Sequence, residues 1–240
     1  MASQTKVREM IAKNNAKKGG LSDKIVPIIL AIISAISILT TIAILFTLLT
    51  ETITFFTRVP LSKFFLSGTW NPTGSSPEFG IWALIIGTLK ITVIATIVAV
   101  PIGLGAAIYL NEYASDRSRR IIKPILEILA GIPTIVFGFF ALTFVTPILR
   151  NLIPNLGEFN SISPGIVVGI MIVPMITSMS EDAMSSVPDK IREGAFGLGA
   201  TKFEVATKVV LPAATSGVVA SIVLGISRAI GETMIVSLAA

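Results

Sequence analysis

The stretch EGAFGLGATKFEVATKVVLP, residues 193–212, lies between two long apolar runs and has the pattern of two short helices joined by a bend. Pro188 suits the first turn of a helix, where the amide proton that proline lacks would have no partner. Gly199 provides a C-terminal stop for that helix, and Thr201 with Glu204 forms a capping box at the start of the next one. The stretch therefore predicts a helical hairpin.

Apolar residues recur at helical spacing in both halves of this hairpin. The first set is Ile191, Ala195 and Leu198, and the second set is Phe203, Ala206 and Val210. Pro212 disfavours helical geometry at Leu211, so we expect the second helix to end there. The spacing alone is compatible with a connector on a membrane surface and with a surface that docks another protein.

Five apolar runs accompany the hairpin, and each is long enough to cross a membrane, which takes ~20 helical residues. They cover residues 25–50, 81–110, 125–149, 164–180 and 213–240. Hydrophobic residues make up 52% of the chain and charged residues 14%, against roughly 25% charged in soluble domains. A soluble fold would have to bury every run in one core. We therefore predict an all-α, polytopic transmembrane helical bundle with five spans.

The Lys and Arg residues indicate how this bundle is oriented, because cationic loops stay on the cytoplasmic side. Six lie in the tail 1–24, four in the segment 111–124 and four in the segment 181–212, whereas the two remaining connections hold three in total. The N-terminus and the hairpin are therefore predicted to be cytoplasmic. The aromatic segment 55–79 is predicted to face outward.

These observations divide the chain into three parts. Residues 1–24 form a basic cytoplasmic tail, residues 25–80 form the first span with an external loop, and residues 81–240 form a transmembrane domain that contains the cytoplasmic segment 181–212. Five crossings would leave the chain outside at the end of an apolar run. Either a sixth helix follows residue 240, which is the alternative we favour, or the fifth run ends against a partner.

The composition also excludes several classes of function. The chain has no Cys and no His, which excludes disulfides, thiolate chemistry, zinc sites and imidazole relays. It has no phosphate-binding loop of the G-x-x-x-x-G-K-[ST] type, so ATP hydrolysis is expected on a separate subunit. The net charge of +5 comes from cations between apolar runs, which favours membrane orientation over nucleic-acid binding.

Two charged residues lie inside the last apolar run. Arg228 and Glu232 are four positions apart and are predicted to share one helix face. A charge at membrane depth costs roughly 2.5–3.5 kcal/mol, so such residues either neutralise one another or mark a pathway. A guanidinium binds tetrahedral oxyanions through paired hydrogen bonds, which favours the pathway.

Other residues near these charges carry weaker expectations. Glu127 is expected near the cytoplasmic N-terminus of the third span, where a helix tolerates negative charge. Small residues recur every fourth position along the last run, and we assign this stripe to the approach of a helix from a partner subunit. The stripe consists of Gly217, Ser221, Gly225 and Ala229.

The hairpin resembles the EAA loop of binding-protein-dependent ABC importer permeases of type I, the MetI-like family. That signature reads Glu-Ala-Ala, three residues, Gly, nine residues, Ile, one residue, Leu-Pro. The matching positions are Glu193, Ala195, Gly199, Leu211 and Pro212. Gly194 replaces the middle Ala, and Val209 replaces Ile. The interval is kept over the whole loop and lies between two spans on the positive side.

Three further strings resemble the phosphate-specific permeases of the PstC type. They are SRAIGETM at 227–234, GLGAAIYLNEY at 103–113, and LAGIPT at 129–134 followed by GFFAL at 138–142. The resemblance implies a permease subunit that imports inorganic phosphate through a prokaryotic cytoplasmic membrane. In that role the chain would be no enzyme and would bind no cofactor or metal.

The resemblance also implies partners and site residues. The partners would be a paralogous permease of the PstA type as heterodimer, two ATPase subunits of the PstB type that use ATP with Mg²⁺, and an extracytoplasmic phosphate-binding protein of the PstS type. Arg228 would meet the anion, and Glu232 would hold or release that Arg. The ATPase-coupling residues would be Glu193, Gly194, Ala195, Gly199, Leu211 and Pro212.

Three alternatives remain at this level. Sulfate or molybdate would fit the same Arg chemistry, because both are tetrahedral oxyanions. An ion channel would use the same intramembrane charges without a need for an EAA-like loop. A membrane-embedded enzyme is disfavoured, since the chain lacks His, Cys and a clustered acid pair.

Overall fold

The computed structural model describes residues 21–74 and 76–240, with side chains from residue 25 onward. Most of the predicted basic tail 1–24 thus lies outside the described residues. The chain divides into two compact units, Met1–Gly80 and Ile81–Ala240.

The first unit begins with a long apolar helix, α1 (Leu21–Arg58). It extends past the predicted end at residue 50 because the threonine hydroxyls there donate hydrogen bonds to backbone carbonyls one turn earlier in the same helix. Thr52 donates to the Leu48 carbonyl at 2.7 Å, and Thr54 donates to the Thr50 carbonyl at 2.9 Å. A helix in hydrocarbon needs this internal pairing, because lipid offers no hydrogen bonds.

The rest of the first unit contains α2 (Leu61–Leu66) and an antiparallel pair of strands, β1 (Trp70–Asn71) and β2 (Glu78–Phe79). The strand pair was missed by the all-helical prediction. Edge-to-face aromatic contacts hold this region together, with the ring of Phe55 5.5 Å from that of Phe79 and Trp70 5.7 Å from Phe79.

The regular secondary structure of the second unit is all helical. In chain order it contains α3 (Ile81–Ile108), a π-helical segment (Tyr109–Tyr113), α4 (Asp116–Gly131), α5 (Thr134–Phe140), a second π-helical segment (Ala141–Val145), α6 (Thr146–Leu152), α7 (Ile162–Ser185), α8 (Asp189–Gly197), α9 (Lys202–Glu204), a third π-helical segment (Val205–Val210), α10 (Leu211–Ala213), α11 (Thr215–Ile230) and α12 (Met234–Ala239).

Helices α3 and α7 pack through small residues and form the centre of this unit. Ala95 and Ala99 on α3 are fully buried. A Cβ at Gly169 of α7 would lie 2.8 Å from the Val98 side chain and 2.9 Å from the Ala95 carbonyl oxygen. The close approach lets Thr177 donate a hydrogen bond across to the Gly103 carbonyl at 3.2 Å.

The most buried helix, α7, is longer than the sequence indicated. The predicted fourth span ended at residue 180, before Glu181 and Asp182, whereas α7 continues to Ser185. Glu181 is tolerated inside the bundle because the Lys123 ammonium lies 2.8 Å from its carboxylate. The charge that ended the predicted span is therefore neutralised by a neighbouring helix.

The small-residue stripe on α11 packs inside this chain, which corrects its assignment to a partner subunit. A Cβ at Gly225 would lie 2.9 Å from the Ile176 side chain, and a Cβ at Gly217 would lie 2.5 Å from that of Ala183. The hydroxyls of Ser221 and Ser180 are 2.6 Å apart. The stripe therefore lets α11 lie directly against α7.

The third and fifth predicted spans differ most from the structure. The third breaks at Ile132, which is extended because Pro133 follows it, so that a candidate span covers Thr134–Leu152 rather than 125–149. The fifth ends at Ile230 rather than at residue 240. Helix α12 then packs against α5, where a Cβ at Gly138 would lie 2.7 Å from the Leu238 side chain.

Four described helices are long and apolar enough to cross a membrane, and a bent pair offers a fifth crossing. The four are Ile25–Arg58, Ile81–Tyr113, Thr134–Leu152 and Ile162–Ser185. The bent pair joins Lys202–Ala213 to Thr215–Ile230 at an angle of 77°.

Candidate coupling hairpin and anion cavity

The predicted helical hairpin is present between α7 and α11. Gly199 ends the first arm with φ +85°, a left-handed conformation that only glycine adopts readily. The Ala200 amide donates to the Ala195 carbonyl at 3.1 Å and the Gly199 amide donates to the Phe196 carbonyl at 2.9 Å, which is the Schellman arrangement. The bend therefore depends on Gly199, the glycine of the EAA-like pattern.

The predicted capping box starts the second arm. The Glu204 amide donates to the Thr201 hydroxyl at 3.3 Å, and the Thr201 amide donates to the Glu204 carboxylate at 3.1 Å. The hydrogen bond from the Thr201 backbone, with help from Lys208, lowers the pKa of the Glu204 carboxyl to about 2. The cap thus stays ionised at neutral pH.

The hairpin presents three large apolar side chains outward, but Ala206 and Val210 of the predicted second face are buried. Leu198 is 91% exposed, Phe203 67% and Ile191 47%. Leu198 lies just past the end of α8, so the first edge includes the bend itself. Of the proposed coupling residues on this arm, Glu193 and Gly194 are exposed and Ala195 is half-buried.

The end of the second arm differs from the prediction. Leu211 is helical, with φ −61° and ψ −46°, although Pro212 follows it. The preceding residues form a π-helical segment, and Pro212 lies in the first turn of α10, where it needs no amide proton. The chain bends after this point, at Ala214.

Arg192 fastens the hairpin to the transmembrane helices, a role that the sequence analysis missed. Its guanidinium donates to the Met184 carbonyl at the end of α7 at 2.7 Å and to the Asn111 side chain at 3.1 Å. Its Nε lies 3.4 Å from the Glu112 carboxylate, an ion pair in which the N–H bond is not aimed at the oxygen. A fourth contact, to Asp189 at 3.3 Å, is on the surface.

Asn111 is the centre of this junction. Its side-chain amide donates to the Ser185 hydroxyl at 2.9 Å, and its carbonyl accepts from Arg119 on α4 at 2.9 Å. Segments 111–124 and 181–212, both assigned to one side of the membrane from their charge, therefore meet at one end of the bundle. The only sequence signal for this junction was the string that ends in Asn111, Glu112 and Tyr113.

A cavity of ≈ 290 Å³ lies among α4, α7 and α11, inside the second unit. Four charged side chains line it: Lys123 and Glu127 from α4, Glu181 from α7, and Arg228 from α11. Within the described residues, Arg228 forms no ion pair. Arg228, which was predicted to lie on a pathway, thus lines a cavity among helices. The prediction had not associated Lys123, Glu127 or Glu181 with Arg228.

The structure does not bring Arg228 and Glu232 together on one helix face. Helix α11 ends at Ile230, and the Glu232 carboxylate accepts hydrogen bonds from the amides of Met234 at 3.1 Å and Ile235 at 3.3 Å. Gly231 favours this break because glycine is a poor helix former. In this conformation Glu232 caps α12.

Glu127 also lies elsewhere than expected. It belongs to the last turns of α4, the helix before the third span, and not to the N-terminus of that span. There it faces the cavity with Lys123, one helical turn away. Among the described residues no cluster of His, Cys, Asp or Glu has the arrangement of a metal site.

Comparison with known proteins supports the resemblance to binding-protein-dependent importer permeases. Residues 99–240 match the family model described as the binding-protein-dependent transport system inner membrane component. The probable ABC transporter permease protein YqgH of Bacillus subtilis is 38% identical over 177 residues, covering 73% of this chain and 57% of that protein. The phosphate transport system permease protein PstC of Haemophilus influenzae is 37% identical over 194 residues, with 73% and 61% covered.

The chain thus spans about three-fifths of the length of these relatives. Among solved structures, the MetNI methionine ABC transporter in an inward-facing conformation has a TM-score of 0.53 and 22% identity, covering 63% of this chain and 71% of that one. This likeness confirms the fold, and the family match confirms the resemblance carried by the EAA-like loop. The chain belongs to the family of binding-protein-dependent transport system inner membrane components.

Proposed function

We propose that this chain is a permease subunit of an ATP-driven importer that carries inorganic phosphate across the cytoplasmic membrane. The observation that carries the proposal is the Arg228 guanidinium in a cavity among α4, α7 and α11, without an ion-pair partner among the described residues. A planar guanidinium that stays charged at every working pH suits a tetrahedral oxyanion. The relatives named as phosphate permeases support phosphate over sulfate or molybdate.

The hairpin would be the part of the chain that binds the ATPase and follows its conformational change. Its exposed apolar edge, with Leu198 and Phe203, suits a groove on a partner protein, since large apolar side chains at a polar surface indicate interaction sites. Arg192 would transmit the movement of the hairpin to the ends of α3 and α7. Glu193, Gly194, Ala195 and Gly199 would contribute the first arm of the joint, and Leu211 with Pro212 would contribute the base of the second.

The assembly would follow from this role. The permease would pair with a paralogous subunit of the PstA type, two ATPase subunits of the PstB type would bind the cytoplasmic hairpins, and a phosphate-binding protein of the PstS type would deliver the anion outside. The ATPase subunits would use ATP with Mg²⁺, and this chain would catalyse no reaction. The distribution of Lys and Arg supports a cytoplasmic N-terminus.

The test is transport by the assembled complex. The permease would be co-purified from native membranes with its partners and reconstituted into vesicles, and ATP-dependent uptake of labelled phosphate would be measured. We expect uptake that unlabelled phosphate suppresses and that equal sulfate or molybdate leaves unchanged. Stronger competition by sulfate or molybdate would assign the chain to another oxyanion, and anion flux without ATP would favour a channel.

A further inference from the structure

We propose that Lys123 and Glu181 form a charge-exchange gate in the anion path, in which Lys123 leaves Glu181 to bind the anion released from Arg228. This inference rests on the proposed import of phosphate and adds a second anion contact on the cytoplasmic side. The ion pair joins α4 to α7 with 2.8 Å between the ammonium and the carboxylate. Both residues line the cavity that contains Arg228.

The position of the pair along the bundle follows from the packing of α11 on α7. Gly217 contacts Ala183, Ser221 contacts Ser180, and Gly225 contacts Ile176, so the two helices run antiparallel in fixed register. This register places residue 228 level with residues 172–173 of α7. At 1.5 Å per residue, Glu181 lies roughly 12 Å from that level toward the hairpin. The lining of the cavity runs from Met171 to Glu181 along α7, so Arg228 lies near one end of it and Lys123 near the end toward the hairpin.

The charges of the cavity show why the pair must separate. Its lining holds two cations, Lys123 and Arg228, and two carboxylates, Glu127 and Glu181. An entering phosphate would make the lining of this space net negative and would lie near its two carboxylates. Arg228 has no ion-pair partner among the described residues and can take the anion directly, whereas Lys123 can take it only by leaving Glu181.

Lys123 is suited to this exchange and Glu181 is not. The Lys123 side chain is 46% exposed and ends a flexible four-carbon stem, whereas the Glu181 side chain is 4% exposed and is fixed in α7. When the anion leaves, the buried carboxylate draws the ammonium back, because an unpaired buried charge is unfavourable. The return of Lys123 then closes the cytoplasmic end of the cavity.

The experiment uses the complete reconstituted complex and a variant that avoids an unpaired buried charge. The double variant K123Q/E181Q removes both charges; Gln matches Glu in shape, whereas at position 123 it is shorter than Lys. We expect ATP-dependent phosphate uptake to fall at least about tenfold, as for the loss of a charge-assisted hydrogen bond, while assembly with the ATPase is kept. K123R retains the cation and is expected to transport phosphate faster than K123Q/E181Q.

The matched control is R120Q/D182N, which removes exposed charges of the same signs from the same two helices. We expect it to transport normally. Near-normal uptake by K123Q/E181Q would overturn the proposal, since it would show that the pair is only a structural tie. Absence of phosphate uptake by the wild type would contradict the proposed function itself. The proposed gate would then be contradicted as well, because it requires phosphate import.

Discussion

At residue 199 the backbone turns with φ +85°, and the two arms of the hairpin diverge from that point. A side chain there would meet no neighbouring atom, so the requirement for glycine is conformational and not steric. Gly194 in the same hairpin is helical and equally free of neighbours. The two glycines thus separate the effect of the backbone from the effect of added volume.

We predict that Gly199→Val weakens the bend by about 1–2 kcal/mol, the range for a left-handed conformation at a residue with a Cβ. The expected result is faster amide hydrogen exchange in the hairpin and poorer co-purification with the ATPase. Gly194→Ala, which restores the middle Ala of the EAA pattern, is the control and should be neutral or stabilising. Equal behaviour of the two variants would show that the bend does not need glycine.

Some residue-level features were predictable because they depend on neighbours in sequence. The capping box of Thr201 and Glu204 and the stop at Gly199 are local hydrogen-bonding patterns, and the structure has both. The relation of Arg228 to Glu232 was predicted wrongly, because one glycine between them lets the helix end. The position of Arg228 in a cavity with Lys123 and Glu181 depends on three helices and has no local signal.

At the scale of elements, the junction at Arg192 connects the hairpin to α7 and to the π-helical segment that follows α3. The Arg192 side chain is 17% exposed and the Glu112 side chain 8%, so their pairing takes place largely away from water. The guanidinium donates to Met184 and Asn111 and lies beside the Glu112 carboxylate, so one side chain contacts all three residues. In the proposed coupling, movement of the hairpin would pass to the ends of α3 and α7 through this side chain.

We predict that Arg192→Gln destabilises the hairpin junction by roughly 3 kcal/mol, because it leaves the Glu112 carboxylate buried without its cation. The measurements are amide hydrogen exchange of α8 and the ratio of phosphate imported to ATP hydrolysed. We expect the exchange to become faster and the ratio to fall. Asp189→Asn removes the surface partner, which is 84% exposed, and should change stability by less than about 1 kcal/mol. An unchanged transport ratio in Arg192→Gln would contradict the proposed transmission.

Element existence was easier to predict than element pairing. Apolar length revealed the first two spans and the central helix α7, but periodicity gives no partner for a stripe of small residues. The stripe on α11 was assigned to another subunit, and it packs on α7. The third span was misplaced because α4 carries apolar residues up to Pro133, where the proline rather than hydropathy sets the boundary.

At the scale of the whole molecule, the second unit joins a cavity among the transmembrane helices to a hairpin at one end of the bundle. The family and the helical membrane fold were predictable, because a fixed spacing in the hairpin coincided with the distribution of cations. For the proposed anion path, only Arg228 and Glu232 were predicted from the sequence. The surroundings of Arg228 required the packing of α4, α7 and α11.

The most direct test of the central claim is ATP-dependent phosphate uptake by the reconstituted complex with Arg228→Gln. This change removes the guanidinium and leaves a shorter, neutral polar side chain. The account predicts that the variant assembles and hydrolyses ATP but imports phosphate at least about tenfold more slowly, as expected for the loss of a charge-assisted contact. Uptake at the wild-type rate by a normally assembled Arg228→Gln complex would contradict it.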